Sequence, residues 1–244
     1  MNLFSEAMAW LFAPERYAGA DALQIRIGEH LFYTFISLAI AGAIAIPLGY
    51  FIGHTGRGRE LAIGISGAAR AIPSFGLILL LVTLIGVTQK PLAAFIAFVL
   101  LGIPSILAGA YSGLEAVDRR VIDAARAVGM TEWQILWKVE IPLGLPLLIG
   151  GLRSAALQIV ATVTLAAYIG LGGLGGYIIS GLALRQFDQM LGAALVIVAL
   201  ALVLDGIFAL AERLVVPRGV AAGRAPDVRT RSSRTRAVAE TPAN

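Results

Sequence analysis

Three polar side chains recur at every fourth position inside an otherwise apolar stretch: Ser154, Gln158 and Thr162. On an α-helix this spacing places them on one face. Hydroxyl and amide groups on one helix face can line an aqueous path through a membrane, or they can join two helices by hydrogen bonds. The sequence leaves both roles open, and they are compatible if the path runs along the axis of a dimer.

Several other kinds of chemistry are excluded by composition. The chain has no cysteine, which excludes disulfides, thiolate metal sites and cysteine nucleophiles. Neither of its two lysines, Lys90 and Lys138, belongs to a G-K-[ST] phosphate-binding loop. His30 and His54 are about 36 Å apart along one predicted helix, so they cannot share a metal ion. We therefore predict no metal site, and we interpret both histidines as side chains at the membrane interface.

A glycine-rich segment follows one of the apolar stretches and contains Gly170, Gly172, Gly173 and Gly175. Its G-x-G-x-x-G spacing matches the dinucleotide-binding fingerprint, but that fingerprint works only at a turn from a β-strand into a helix. Here the segment follows a predicted membrane helix on the external side, where no cytosolic nucleotide is available. We therefore predict a flexible or close-packed gating segment.

The elements that must position these residues are membrane helices. Of the 244 residues, 58% are hydrophobic and 14% are charged, and the mean hydropathy is +0.85. Soluble domains have about 25% charged residues. A helix of about 20 apolar residues spans the hydrocarbon core, and five stretches qualify: Leu31–Gly53, Leu61–Val87, Pro91–Leu114, Leu147–Ile169 and Met190–Ala211. Arg70 and Pro73 interrupt the second, so we predict one broken or tilted span whose regular part is Ile72–Val87. The predicted fold class is all-α.

Basic residues are distributed unevenly between the two predicted sides of the membrane. Of the Lys and Arg residues outside the spans, 13 lie on one side and 4 on the other. Because cytoplasmic loops are enriched in Lys and Arg, we predict a cell-membrane protein with an external N-terminus and a cytoplasmic C-terminus. The predicted domains are an external segment 1–30, a transmembrane domain 31–211 and a basic tail 212–244. The tail is predicted to be disordered and attracted to anionic lipid headgroups.

The first half of the polar loop 115–146 has the start and stop signals of a helix. Asp118 is a favourable N-cap for a helix that runs to Val128. Gly129 follows the last apolar position, where a left-handed C-cap favours glycine. The helix is predicted to carry one apolar stripe, which consists of Val121, Ala124, Ala125 and Val128.

The second half of the loop predicts another helix. Thr131 and Gln134 form a Thr-x-x-Gln capping box that begins it, and Pro142 is expected to end it. Together the two helices form a predicted helix–turn–helix elbow in the cytoplasm. Because both ends of the elbow are joined directly to predicted membrane helices, we do not expect it to bind DNA.

The elbow resembles the cytoplasmic signature of the permeases of ATP-binding-cassette (ABC) importers, which reads E-A-A, three residues, Gly, nine residues, I-x-L-P. Here Asp123, Ala124 and Ala125 are followed at the same spacings by Gly129 and by Val-Glu-Ile-Pro at 139–142. The departures from the signature are Asp for Glu, Val for Ile and Ile for Leu. The resemblance implies that a separate cytoplasmic ATPase docks on Asp123, Ala124, Ala125, Gly129, Met130 and Pro142.

A wider resemblance indicates the osmoprotectant permeases, which take up glycine betaine, choline, carnitine or proline betaine. It rests on the segments 71–74, 115–146 and 164–175 and covers about residues 31–215. Arg70 departs from the pattern of that family.

The resemblance implies the partners of the chain. They are cytoplasmic ATPase subunits that hydrolyse the ATP, an external solute-binding protein and a second permease subunit, either identical or paralogous. No cofactor is expected in this chain. Permeases of the same type for an amino acid or a sulfonate are an alternative. A secondary transporter driven by an ion gradient is disfavoured, because such transporters usually contain repeated halves.

Two charged residues lie inside predicted spans, and we expect structural roles for both. Arg153 is close to the cytoplasmic end of its span, so its guanidinium can extend to the interface. Asp205 is within reach of the same interface and is expected to pair with a basic group there.

Overall fold

The computed structural model describes residues 2–215, in which all regular secondary structure is helical. Residues 216–244, which include most of the predicted basic tail, lie outside the described residues. The α-helices are α1 (Leu3–Phe12), α2 (Leu23–Thr55), α3 (Arg59–Ala71), α4 (Ser74–Ile85), α5 (Lys90–Glu115), α6 (Arg119–Ala127), α7 (Glu132–Ile135), α8 (Ile141–Leu165), α9 (Gly175–Leu184) and α10 (Phe187–Val215).

Four of the predicted spans are long apolar helices. They correspond to α2, α5, α10 and a continuous helix that contains α8, and each is long enough to cross a membrane. The all-α class is confirmed. The first span begins at Leu23, eight residues before its predicted start, because the charged residues of the first turns do not interrupt its helical hydrogen bonding.

The second predicted span is broken, as its proline predicts. α3 and α4 meet at an angle of 91°. Pro73 disfavours the helical conformation of the residue before it, and Ile72 is extended, with φ −73° and ψ 126°. α4 has only 12 residues, which cover about 18 Å, so it cannot cross the hydrocarbon core alone.

The prediction that Pro142 ends a helix is wrong. α7 continues through a π-helical turn at Leu136–Glu140 into α8, and one helix of 38 residues extends from Glu132 to Ile169. The wider turn lies directly before Pro142, which occupies the first turn of α8. A proline is tolerated where the regular hydrogen-bond pattern has already been changed, because its missing N–H then removes no regular bond.

The core of the bundle is α5, which lies between α2 and α8. Its buried residues include Phe98 and Ile106, and α8 contributes Ile159. Small residues allow α5 and α8 to approach closely, as is common between membrane helices.

The closest approach of the two helices is made by glycines, Gly109 and Gly113 of α5 with Gly144 and Gly151 of α8. A Cβ atom on Gly109 would lie 2.6 Å from the Leu147 carbonyl oxygen. A Cβ atom on Gly151 would lie 3.0 Å from the Cα atom of Gly109. The backbones are therefore in direct contact along this line.

Candidate coupling elbow and translocation pathway

The first helix of the elbow, α6, is capped at both ends as predicted. The Asp118 carboxylate accepts a hydrogen bond from the Arg120 N–H at 2.9 Å. Gly129 has φ +84°, and the N–H of Met130 donates to the Ala125 carbonyl at 3.1 Å. This 6→1 bond across a left-handed glycine is a Schellman motif, which ends the helix and turns the chain.

The second helix begins with the predicted capping box. The Gln134 N–H donates to the Thr131 hydroxyl at 3.3 Å, and the Thr131 N–H donates to the Gln134 side chain at 3.0 Å. Arg126 ties the two helices together, with Nε 2.8 Å from Glu132 and Nη1 3.4 Å from Asp123. The hydrogen bond to Glu132 raises the pKa of the Arg126 guanidinium. The elbow is therefore an ordered unit.

The predicted apolar stripe of α6 is wrong in its composition. Ala125 is buried, but the other inward residue is Ile122, which the stripe omitted. These two side chains pack on Ile135 because α6 folds back on the following helix. The remaining stripe residues are exposed: Val121, Ala124 and Val128.

The residues matched to the permease signature therefore divide into two groups. Asp123 and Ala124 are exposed, and the Asp123 side chain is 71% exposed. Ala125 is buried, and Met130 and Pro142 are half-buried. Asp123, Ala124 and the exposed Gly129 are open to contact with another protein, whereas the buried Ala125 packs inside the elbow.

The elbow is anchored to the first span by a pair that the sequence analysis missed. The Nδ1 atom of His54, at the end of α2, lies 2.5 Å from the carboxylate of Glu140 in the π-helical turn. Glu140 is only 4% exposed. A further ion pair joins α3 to the end of α5, with Arg59 Nε 3.3 Å from Glu115 Oε1. His54 therefore connects the end of α2 to the π-helical turn before α8.

The polar stripe of α8 is divided between surface and interior. Ser154 and Gln158 are exposed, whereas Thr162 is only 2% exposed and donates to the Gln158 carbonyl at 2.8 Å. Four residues rotate about 40° beyond a full turn, so the third member of the stripe leaves the face of the first. Ser154 and Gln158 remain on an open face of the bundle.

Gln158 lines a polar cavity of about 390 Å³ between α8, α5 and the bend between α3 and α4. Its other polar wall residues are Arg70, Ser74 and Ser105. Three apolar residues complete the wall: Ala69, Ile72 and Leu101. The break in the second span thus places Arg70 on the same cavity as Gln158, which the sequence analysis assigned to the pathway.

Arg153 and Asp205 pair with each other. The guanidinium contacts both carboxylate oxygens, and Nη2 lies 2.5 Å from Oδ2. The pair joins α8 to α10, and both side chains are partly exposed. The expectation that Asp205 pairs with a basic group is confirmed.

The glycine segment is held against the N-terminal part of the first span. Gly170 and Gly173 have φ of +79° and +87°. The N–H of Gly173 donates to the Glu29 carboxylate at 2.7 Å, and a Cβ on Gly172 would overlap that carboxylate. A Cβ on Gly175 would likewise overlap the backbone of α8. Of the two predicted forms of this segment, the close-packed one is present.

His30 lies beside this segment, inside the bundle and not on its surface. It is fully buried, and its Nε2 atom is 3.0 Å from the Val160 carbonyl oxygen. Glu29 and His30 contact residues more than 100 positions away in the sequence, so no local sequence pattern predicts these contacts. The one local signal was a pair of ionisable residues at the start of an apolar run.

Comparison with known proteins identifies the family. Residues 45–218 match the family described as "Binding-protein-dependent transport system inner membrane component". The glycine betaine/carnitine/choline transport system permease protein OpuCB of Bacillus subtilis is 32% identical over 81% of this chain and 90% of that protein. The osmoprotectant import permease protein OsmW of Salmonella typhimurium is 34% identical over 79% of this chain and 91% of that protein.

A solved structure shares the fold. The MetNI methionine ABC transporter in an inward-facing conformation matches 86% of this chain and 98% of its own chain, with a TM-score of 0.72 and 22% identity. The membrane helices and the family match agree on a multi-pass protein of the inner membrane. The predicted ABC permease is confirmed, and the chain belongs to the family of binding-protein-dependent transport system inner membrane components.

Proposed function

We propose that this ABC permease imports a small quaternary-ammonium osmoprotectant of the class that includes glycine betaine, carnitine and choline. The observation that carries the proposal is the similarity to permeases named for these solutes, which extends over about nine-tenths of their length. Neighbours named for methionine or amino acid transport share the fold at 22% identity or less, which does not indicate a solute.

An aromatic pair on the open side of the bundle supports this solute class. Phe75, which follows the cavity residue Ser74, and Tyr168 have ring centroids 5.0 Å apart, and both rings are exposed. Aromatic faces attract quaternary ammonium groups through cation–π interactions. A solute that moves toward the cavity along α8 would pass this pair.

The elbow is proposed to transmit motion from a cytoplasmic ATPase, which would bind and hydrolyse the ATP. Asp123 would be the charged anchor, and Ala124 would keep the contact surface thin. Ala125, Gly129, Met130 and Pro142 would maintain the shape of the elbow. An external solute-binding protein is proposed to deliver the solute.

The pathway is proposed to run along the face that carries Ser154 and Gln158, with Thr162 supporting the helix behind it. This face is open in one chain, so a second permease subunit would close it. The glycine segment 170–175 would act as the external gate, because Glu29 holds it to the first span by one hydrogen bond.

The solute is tested by uptake. The permease is expressed with its ATPase and binding protein in cells that lack other osmoprotectant uptake systems, and initial rates are measured for radiolabelled glycine betaine and choline. We expect ATP-dependent uptake of at least one of them, insensitive to dissipation of ion gradients. Uptake of methionine or a sulfonate instead would overturn the solute class, and dependence on an ion gradient would overturn the mechanism.

The orientation is tested by cysteine labelling in this cysteine-free chain. Thr131→Cys lies in the elbow, and Thr88→Cys lies in the turn between α4 and α5 at the opposite side of the membrane. A membrane-impermeant maleimide should label Thr88→Cys in intact cells and Thr131→Cys only after permeabilisation. The reverse result would overturn the proposed orientation.

A further inference from the structure

The polar cavity beside Gln158 opens onto the exposed face of the bundle, where its wall residues Arg70, Ile72 and Gln158 are accessible. Ser105, on its wall, is ten residues from the cytoplasmic end of α5 and fifteen from the other end. At 1.5 Å per residue these distances are about 15 Å and 22 Å. The cavity is therefore near the middle of the membrane. Its volume of about 390 Å³ is within the range of small-molecule sites, about 300–1,000 Å³.

Arg70 gives this cavity a positive charge. An arginine at this depth is stable only where it faces water, a partner or a ligand, and such residues mark solute pathways. Within residues 2–215, every ion pair involves a basic residue other than Arg70. Arg70 instead shares the cavity wall with three polar residues, Ser74, Ser105 and Gln158.

The start of α4 adds to the positive potential of the cavity. Ser74, on the wall, is the first residue of that helix, and the first helical bond is donated by the Leu77 N–H to the Pro73 carbonyl. The amide N–H groups of the first turn are thus free to donate. Helix N-termini favour anions for this reason. The bend therefore places a guanidinium and a helix N-terminus on one cavity.

We propose that this cavity is a binding site within the membrane for the carboxylate of the transported solute, with Arg70 as the residue that selects it. The inference rests on the proposed function and narrows it to solutes that carry both a quaternary ammonium group and a carboxylate. Arg70 binds the carboxylate, and the Ser105 hydroxyl and Gln158 amide donate the remaining hydrogen bonds. A guanidinium is suited to this task because its fork of donors matches a carboxylate.

The same charge discriminates against choline. Choline carries the quaternary ammonium group without a carboxylate, so it would meet Arg70 with a like charge and no compensating bond. The cost of a like-charge contact is larger in a cavity within the membrane than in water, because the dielectric constant is lower. The permease therefore moves glycine betaine or carnitine faster than choline once either is delivered.

The test compares wild type with Arg70→Gln in the complete transporter. Maximal uptake rates of glycine betaine and of choline are measured at saturating concentration, where the binding protein is loaded with either solute. We expect Arg70→Gln to lower the ratio of glycine betaine to choline rates about tenfold or more, as is typical for loss of a hydrogen bond to a charged group. Arg70→Lys should retain part of the ratio, because it keeps the charge without the fork.

The matched control is Arg57→Gln, which removes an exposed arginine from the turn between α2 and α3 and should leave the ratio unchanged. Membrane levels and ATPase co-purification are measured for every variant. If Arg70→Gln does not assemble, Arg70→Lys and Gln158→Leu test the same proposal, since each must lower the ratio.

Two results overturn the assignment of Arg70 while leaving the proposed function intact. One is that the wild type takes up both solutes and the Arg70 variants keep the same ratio of glycine betaine to choline uptake rates. The other is a wild type that transports choline and excludes glycine betaine. Absence of uptake of every quaternary-ammonium solute by the wild type overturns the proposed function, and this inference with it.

Discussion

The contact between α5 and α8 can be tested with two adjacent glycines of the same helix. A Cβ on Gly151 would lie 3.0 Å from the Cα of Gly109 and 2.7 Å from the Ser105 carbonyl oxygen, whereas a Cβ on Gly150 meets nothing within 4 Å. Both residues are inside α8, so a change to alanine increases helix propensity equally, by about 0.5–1 kcal/mol. The difference between Gly151→Ala and Gly150→Ala therefore isolates the helix contact.

The expected difference follows from the geometry. An ordinary contact would require the helices to separate by about 0.5–1 Å, and overpacking of this kind costs about 1–3 kcal/mol. We expect Gly150→Ala to be as stable as wild type or slightly more stable, and Gly151→Ala to be less stable than Gly150→Ala by about 1–3 kcal/mol. Thermal unfolding in detergent, followed by size-exclusion chromatography, measures both. Equal stability of the two variants would refute the close packing of α5 on α8.

Three further predictions concern the elbow, the ion pair between Arg153 and Asp205, and the glycine segment. Gly129→Val should lower the free energy of unfolding by about 1–2 kcal/mol and reduce co-purification of the ATPase, because φ is positive at this position. Gly129→Asn should be tolerated, and equal ATPase co-purification with the two variants would contradict the prediction. Arg153→Met or Asp205→Leu alone should lower the thermal stability of the protein, because each leaves the other charge without its partner, and the double variant should recover most of the loss; additive losses in thermal unfolding would refute the pairing. Gly172→Ala should displace the Glu29 carboxylate and lower uptake, while Gly176→Ala, which meets no atom within 4 Å, should not; identical uptake by both variants would remove the role of the segment.

Much of the fold could be predicted because its signals are local. Apolar runs of about 20 residues indicate spans, Pro73 indicates a break, and Asp118, Gly129 and Thr131 indicate helix ends, since each acts on its own backbone within four residues. These features are confirmed in the structure. The error at Pro142 has a physical cause, because a proline ends a helix only where the regular hydrogen bonds would otherwise continue.

The remaining features depend on contacts between distant segments. His54 meets Glu140 across 86 positions and Glu29 meets Gly173 across 144, and no short pattern relates such residues. The burial of Ile122 instead of Val121 depends on the direction in which α6 folds back. The cavity arises because a bend of 91° turns Arg70 toward α5 and α8, and the sequence predicted the break without its angle.

The unbroken helix from Glu132 to Ile169 has a mechanical consequence. Its 38 residues are about 57 Å long. The second half of the elbow forms its start, and the glycine segment follows its end. If this rod tilts by about 5° about its midpoint, each end moves by about 2.5 Å in opposite directions. We expect a displacement of that size to break the hydrogen bond between the Gly173 N–H and Glu29, whose donor and acceptor atoms are 2.7 Å apart. We therefore expect the helix to act as a lever, so that a small push at its elbow end moves the glycine segment at its other end.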